Sequence, residues 1–200
     1  MDNTKKGNLL RGLRPLGVAL IVVAAYFAWP GLSSVLAWEF HGRMTGGGSI
    51  CKPSGCVDTS GGSDGRITHG FELHCAPEDV PNNLEINDHI GGHRFHLDTL
   101  DDVFCYDDPS INPTPPGAGF DTYVGRGTGR YDGVPGYCAD WIFTDAGEPG
   151  DNDSAFIRIT DTPGPLGDDD NSVVACTGNV LLVIGPAKLT FGNHQAHKNP

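Results

Sequence analysis

Glycine and proline set the first limit on what this chain can become. Of its 200 residues, 29 are Gly and 15 are Pro, and in a helix interior these cost about 1 and about 3 kcal/mol relative to Ala. Long helices are thereby disfavoured. The glycines follow no three-residue period, which also excludes a collagen triple helix. What remains is a fold of short extended segments joined by turns.

Side-chain periodicity supplies those segments. Ile67, His69, Phe71, Leu73 and Cys75 share one parity, with Thr68, Glu72 and His74 on the other, as in a strand with one buried face. The same alternation places Leu84 and Ile86 against Glu85 and Asn87, Phe95 and Leu97 against Arg94 and His96, and Ala155, Ile157 and Ile159 against Ser154, Arg158 and Thr160. Tyr137 to Phe143 and Val180 to Ile184 are more continuously apolar, which predicts strands buried on both faces. Gly, Pro, Asn and Asp clusters punctuate the chain between them. The fold class predicted is all-β: an antiparallel β-sandwich of about seven to nine short strands with long Gly/Pro/Asp-rich loops, a closed barrel being the related alternative. Two stretches, Pro109 to Gly119 and Asp161 to Asn171, are expected to be exposed excursions from the sheet.

The domain plan follows from the amino terminus. Lys5, Lys6, Arg11 and Arg14 precede an apolar run from Gly17 to Trp29 and a turn-prone stretch from Pro30 to Ser34, the order of a secretory signal peptide. Val35 and Ala37 suit cleavage after residue 37; an uncleaved membrane anchor is the alternative. Residues 38–64 are expected to form a Gly/Ser/Cys-rich lead-in, with its Gly46 to Asp64 part an exposed loop, and residues 65–198 the β-sandwich domain. Removing 37 residues leaves 24 acidic and 9 basic side chains, a net charge of −15 against −12 for the whole chain. Such a surface disfavours nucleic acid and anionic lipid, whose affinity for proteins comes from clustered Lys and Arg. Membrane contact is expected only through the N-terminal segment if it is uncleaved.

Six cysteines, Cys51, Cys56, Cys75, Cys105, Cys138 and Cys176, all follow the signal. In an oxidising compartment an even count predicts three disulfides. Nearest-neighbour pairing gives Cys51 to Cys56, Cys75 to Cys105 and Cys138 to Cys176, one of 15 pairings the sequence allows. No CxxC pair is present, which argues against a Cys-based zinc site.

A stretch running Asp145-Ala-Gly147-Glu148-Pro149-Gly150-Asp151-Asn-Asp153 leads into Ala155 to Ile159, and the chain closes with Gly192-Asn193-His-Gln195-Ala-His197-Lys198. Together with Gly46 to Ser49 and Asn83 to Glu85, these pieces resemble, in the same order, the small β domain that follows choice-of-anchor modules in secreted bacterial proteins. The resemblance implies a surface or extracellular β module and brings no established reaction. The six cysteines and the long Pro and Asp loops depart from that pattern.

Asp145, Glu148, Asp151 and Asp153 place four carboxylates within nine residues, with Asp168, Asp169 and Asp170 in a further loop. Calcium takes oxygen ligands of this kind from loops, so the four are the candidate calcium ligands and calcium the one candidate cofactor. The spacing is not that of an EF-hand. The competing role is structural: Asp145 capping its own turn, Gly147 and Gly150 supplying unusual dihedrals, the remaining acids solvated. Among the eight His, His194 and His197 lie three apart and His69 and His74 five apart, so in extended chain each pair faces opposite sides and does not chelate. His69, on the apolar parity, is expected to be a hydrogen-bonded core residue, and a His pair drawn from different strands stays open. Trp141, Tyr123 and Tyr131 are the candidates for stacking on sugar rings.

No GxSxG or HExxH motif is present, and no catalytic residue is assigned. The function expected is a secreted or cell-surface, non-enzymatic module with a structural or adhesive role toward an unidentified partner. A calcium- or carbohydrate-binding module is the alternative and an extracellular hydrolase a lesser one.

Overall fold

Every regular element among the described residues is a β-strand. The computed structural model describes residues 42–51, 65–111, 118–163 and 175–198, so the expected signal segment and cleavage site lie outside them. Nine strands follow one another: β1 (Gly42–Cys51), β2 (Arg66–His74), β3 (Asn83–Asp88), β4 (His93–Tyr106), β5 (Thr122–Tyr131), β6 (Val134–Thr144), β7 (Ser154–Thr160), β8 (Val180–Lys188) and β9 (Phe191–Lys198). All pair antiparallel in one sheet of order β8-β7-β6-β5-β4-β3-β2-β1-β9.

That order bears out the expected all-β antiparallel class and strand number, with the strands in one curled sheet. The two edge strands, β8 and β9, are consecutive in the chain and joined only by Leu189 and Thr190. A sheet whose opposite edges are tied by two residues must curl back on itself. The connector is anchored on both sides: the Leu189 N–H donates to the Asp153 carbonyl at 2.9 Å and that of Thr190 to the Ser49 carbonyl at 2.7 Å. Residues of one parity fill the interior, among them Met44, Ile67, Leu73, Phe95, Tyr123, Trp141, Phe143 and Ile157, each at most 1 % exposed. The alternation read in β2, β3, β4 and β7 is the observed burial pattern.

Glycines make room for the largest of these side chains. A Cβ on Gly125 of β5 would lie 2.6 Å from the ring of Trp141, its partner on β6, and one on Gly129 would lie 2.6 Å from Phe95. Interiors this densely packed have no slack for an added methyl group.

Two segments differ from expectation. Gly42–Cys51, assigned to the lead-in and in part to an exposed loop, is strand β1 between β2 and β9, with Met44, Gly48, Ser49 and Ile50 buried. Gly-Gly-Gly-Ser has no apolar alternation to display, so its strand state was hidden. Val180 to Ile184 begins the edge strand β8; Leu182 and Ile184 point inward while Val180, Leu181 and Val183 are exposed, so it is covered on one face only. Of the two expected excursions, residues 112–117 and 164–171 lie outside the described residues; Ala118 and Phe120, at the end of the first, are buried.

Both described disulfides are those predicted, Cys75–Cys105 and Cys138–Cys176. Each spans one intervening strand: the first joins the end of β2 to β4 across β3, and the second joins β6 across β7 to the segment entering β8. Cys56 lies outside the described residues, and with it the Cys51–Cys56 pairing.

Candidate functional site: the acidic turn and the strand it seals

The β6–β7 connection brings together most of the residues singled out in the sequence. Asp145 caps its own turn, accepting from the Gly147 N–H at 3.0 Å, and Gly147 and Gly150 take φ of 90° and 91°, as expected of the structural role. Asp153 closes the loop from its far end, accepting from the Ala146 N–H at 2.8 Å. Asp153 is nevertheless buried, not solvated, and Asp145 is buried with it.

The second oxygen of each carboxylate explains that burial. One side of β9 pairs with β1; toward the other side its N–H groups find no strand. Asp153 Oδ2 accepts from the His194 N–H at 2.7 Å and Asp145 Oδ2 from the Ala196 N–H at 2.8 Å. Between them Glu148 receives the side-chain amides of Asn193, at 3.1 Å, and Gln195. The acidic turn therefore does for β9 what a tenth strand would do, and it satisfies donors that are costly to bury unpaired. The D-x-GEPG-x-x-D turn and the closing G-N-x-Q-x-H-K segment are the two halves of one contact.

Electrostatics follow from this crowding. Burial, with smaller contributions from the Asp145 and Glu148 charges, pushes the Asp153 carboxyl up to about 6 against the pull of its two N–H donors. The exposed Glu148 is held below its ordinary value by Gln195 and then Asn193. Asp151 is exposed. Among the described residues, no group of three or more His, Cys, Asp or Glu side chains is arranged to hold a metal ion.

Behind the seal lies a buried histidine pair from two different strands. His69 Nε2 is 2.8 Å from His194 Nε2, although β1 separates β2 from β9. The glycines of β1 lie between the two strands. Gly46 and Gly48 occupy the inward positions opposite His194 and His69, and a Cβ on Gly46 would collide with the Asn193 carbonyl. The two rings meet over that strand.

The hydrogen-bond pattern fixes the tautomers. His194 Nδ1 faces the Thr144 carbonyl at 3.0 Å, which only accepts, so Nδ1 carries the proton and Nε2 accepts from His69 Nε2–H. His69 Nδ1 is left as a bare, buried nitrogen without a partner. Burial lowers both groups, His69 to about 3 with a further contribution from His194, and His194 to about 4. His69 stacks on Phe143 at 4.9 Å between centroids, as expected of a core histidine. His197, facing away, bonds Thr45 at 2.8 Å, and His74 bonds the Pro81 carbonyl at 3.0 Å.

The sugar-stacking candidates divide. Trp141 and Tyr123 are core residues, 1 % and 0 % exposed, and the Tyr123 hydroxyl donates to the His74 carbonyl at 2.8 Å; neither is available to a ligand. Tyr131 is half-buried, stacked on His93 and next to Tyr137. Beside it an open depression of about 500 Å³ is lined by Asn87, Asp88, His89, Gly92, His93, Arg94 and Asp132. There His93 Nδ1 donates to Asp132 at 2.6 Å. The sequence reading missed this pair, whose only local signal is the Asp132-Gly133 hairpin turn between two strands.

No family model, curated protein or solved structure matches the chain.

Proposed function

We propose that this protein is a secreted or cell-surface β module with a structural or adhesive, non-enzymatic role, of the kind that follows choice-of-anchor modules in bacterial surface proteins. The observation that carries the reading is where its chemistry-bearing side chains are used. Asp145, Glu148, Asp153, Asn193, Gln195 and the paired histidines are committed to closing the sheet. Two disulfides brace it, as suits an oxidising compartment.

The test is to express the full chain in a bacterial host and follow its fate. Export, a mass beginning at Trp38 with all six thiols oxidised, and accessibility to protease on intact cells are expected. Retention inside the cell with free thiols would contradict the reading.

A second reading, binding of a polyhydroxylated sugar, is favoured by the depression beside Tyr131. Its mixture of carboxylates, an Arg, imidazoles and an aromatic ring offers donors, acceptors and a stacking surface together. Chemical-shift changes at Tyr131 and His93 on adding oligosaccharides would favour it, and their absence across neutral, acidic and amino sugars would dismiss it.

A further inference from the structure

We infer that the depression beside Tyr131 takes an amino sugar, its protonated amine held by Asp88 and His93; this rests on the sugar-binding reading of that depression and names the class of sugar. The two hairpins that form it fix their polar atoms firmly. Asp88, the last residue of β3, pairs with His93, the first of β4, and its Oδ1 accepts from the Ile90 and Gly91 N–H groups at 2.9 and 3.1 Å. At the β5–β6 turn Asp132 is tied by three bonds. Its Oδ1 accepts from the Arg94 N–H at 2.9 Å, its Oδ2 from His93 Nδ1 at 2.6 Å, and its own N–H donates to the Arg94 carbonyl at 2.8 Å. It is held there at a φ of 52°, in the left-handed region where every other occupant among the described residues is Gly.

Those bonds decide which atoms face a ligand. With its Nδ1 proton directed at Asp132, the neutral His93 ring presents Nε2 as an acceptor. Nε2 and Asp88 Oδ2 border one spot beside Gly91, where a Cβ would lie 3.2 Å from each. Tyr131 stacks on the His93 ring at 5.2 Å between centroids and leaves 45 % of that side chain exposed. Both carboxylates act on Tyr131 as well: burial first, then the Asp132 and Asp88 charges, hold its hydroxyl above the ordinary value.

Charge selects the class of sugar. Among the described residues lining the depression, Asp88 and Asp132 outweigh the one guanidinium, Arg94, and the chain as a whole carries −12. A carboxylated sugar is repelled by such a surface and a cationic one attracted. A protonated amine has three N–H donors and no acceptor, which matches a carboxylate oxygen and an imidazole nitrogen side by side. Arg94 is left to donate to ring hydroxyls, and the open imidazole face to lie against the apolar face of the sugar ring. A neutral sugar brings hydroxyls to the same points without the charge, and is the weaker ligand.

Titration of the full, disulfide-intact chain at pH 7 with glucosamine, glucose, glucuronic acid and a simple alkylamine tests this, read at the Tyr131 and His93 resonances. Glucosamine is expected to bind about threefold or more tighter than glucose, less so as salt is added, with glucuronic acid and the alkylamine weakest. Asp88→Asn keeps the Oδ1 acceptor of the turn, so an unchanged melting temperature is expected together with loss of the preference for glucosamine. His93→Gln, at an exposed position, is expected to lose the same preference. Glucose or glucuronic acid binding as tightly as glucosamine, or a preference that survives Asp88→Asn, would overturn the inference and leave the sugar reading standing. An alkylamine that matches glucosamine, or no response to any of the three sugars, would overturn both.

Discussion

Single residues in this protein are constrained mostly by what lies across the sheet from them. Gly125 is an example: its place opposite Trp141 is legible only once the β5–β6 register is known, because nothing in its own neighbourhood announces an indole ring. Gly125→Ala puts a methyl group 2.6 Å from that ring, and a loss of about 1–3 kcal/mol is expected in chemical denaturation. The histidine pair gives a pH prediction whose sign can be worked out. Unfolded imidazoles take up protons near 6.5, while folded His69 and His194 stay neutral to about 3 and about 4. Between pH 6.5 and 4 the unfolded state therefore gains two protons that the folded state refuses, and acid destabilises. Asp153 acts in the opposite sense, because its folded value of about 6 exceeds the ordinary 3.8, so the folded state gains one proton over much of the same range. A net difference of one proton remains, or about 1.4 kcal/mol lost per pH unit from 6 to 4. Urea denaturation across that interval measures it, and His69→Phe is expected to flatten the slope.

At the level of elements, legibility followed the presence of alternating side chains. Ile67 to Leu73 and Ala155 to Ile159 announce their strands because one face is apolar and the other is not. Gly46 to Ser49 does not, since three glycines carry no face at all, yet this is the strand over which two buried rings meet. Val180 to Ile184 misled in the other direction: a continuous apolar run reads as doubly buried when it can equally be an edge strand with one face in water. The acidic turn was recognised as a unit, but its partners were not, because the bonded N–H groups lie 41 and 51 residues away in sequence. The disulfides also act on this scale. Cys138 and Cys176 are 38 residues apart, and a Cys138→Ser, Cys176→Ser double variant is expected to lose about 4 kcal/mol by the chain-entropy relation. Thermal melting of that variant beside the wild type checks the figure.

Over the whole molecule, the central claim is that a nine-stranded sheet curls until its edges come together and is sealed there by carboxylates in place of a further strand pairing. Composition pointed to the strands and turns. Whether the sheet they form curls back on itself depended on β1 pairing with the last strand, a contact between the two ends of the domain that no local pattern carries. If Asp145 and Asp153 are edge caps, millimolar calcium is expected to leave the melting temperature unchanged, whereas a native-state calcium site would raise it. The most direct test is Asp153→Asn, studied by denaturation at pH 7.5 with hydrogen exchange at the His194 amide. The substitution keeps the size of the side chain but sets an amide donor against one of the two N–H groups that Asp153 now accepts from. A loss of about 2–4 kcal/mol with faster exchange at His194 is predicted. A change below about 0.5 kcal/mol, the level of an ordinary surface substitution, with His194 exchange unaltered, would contradict the account.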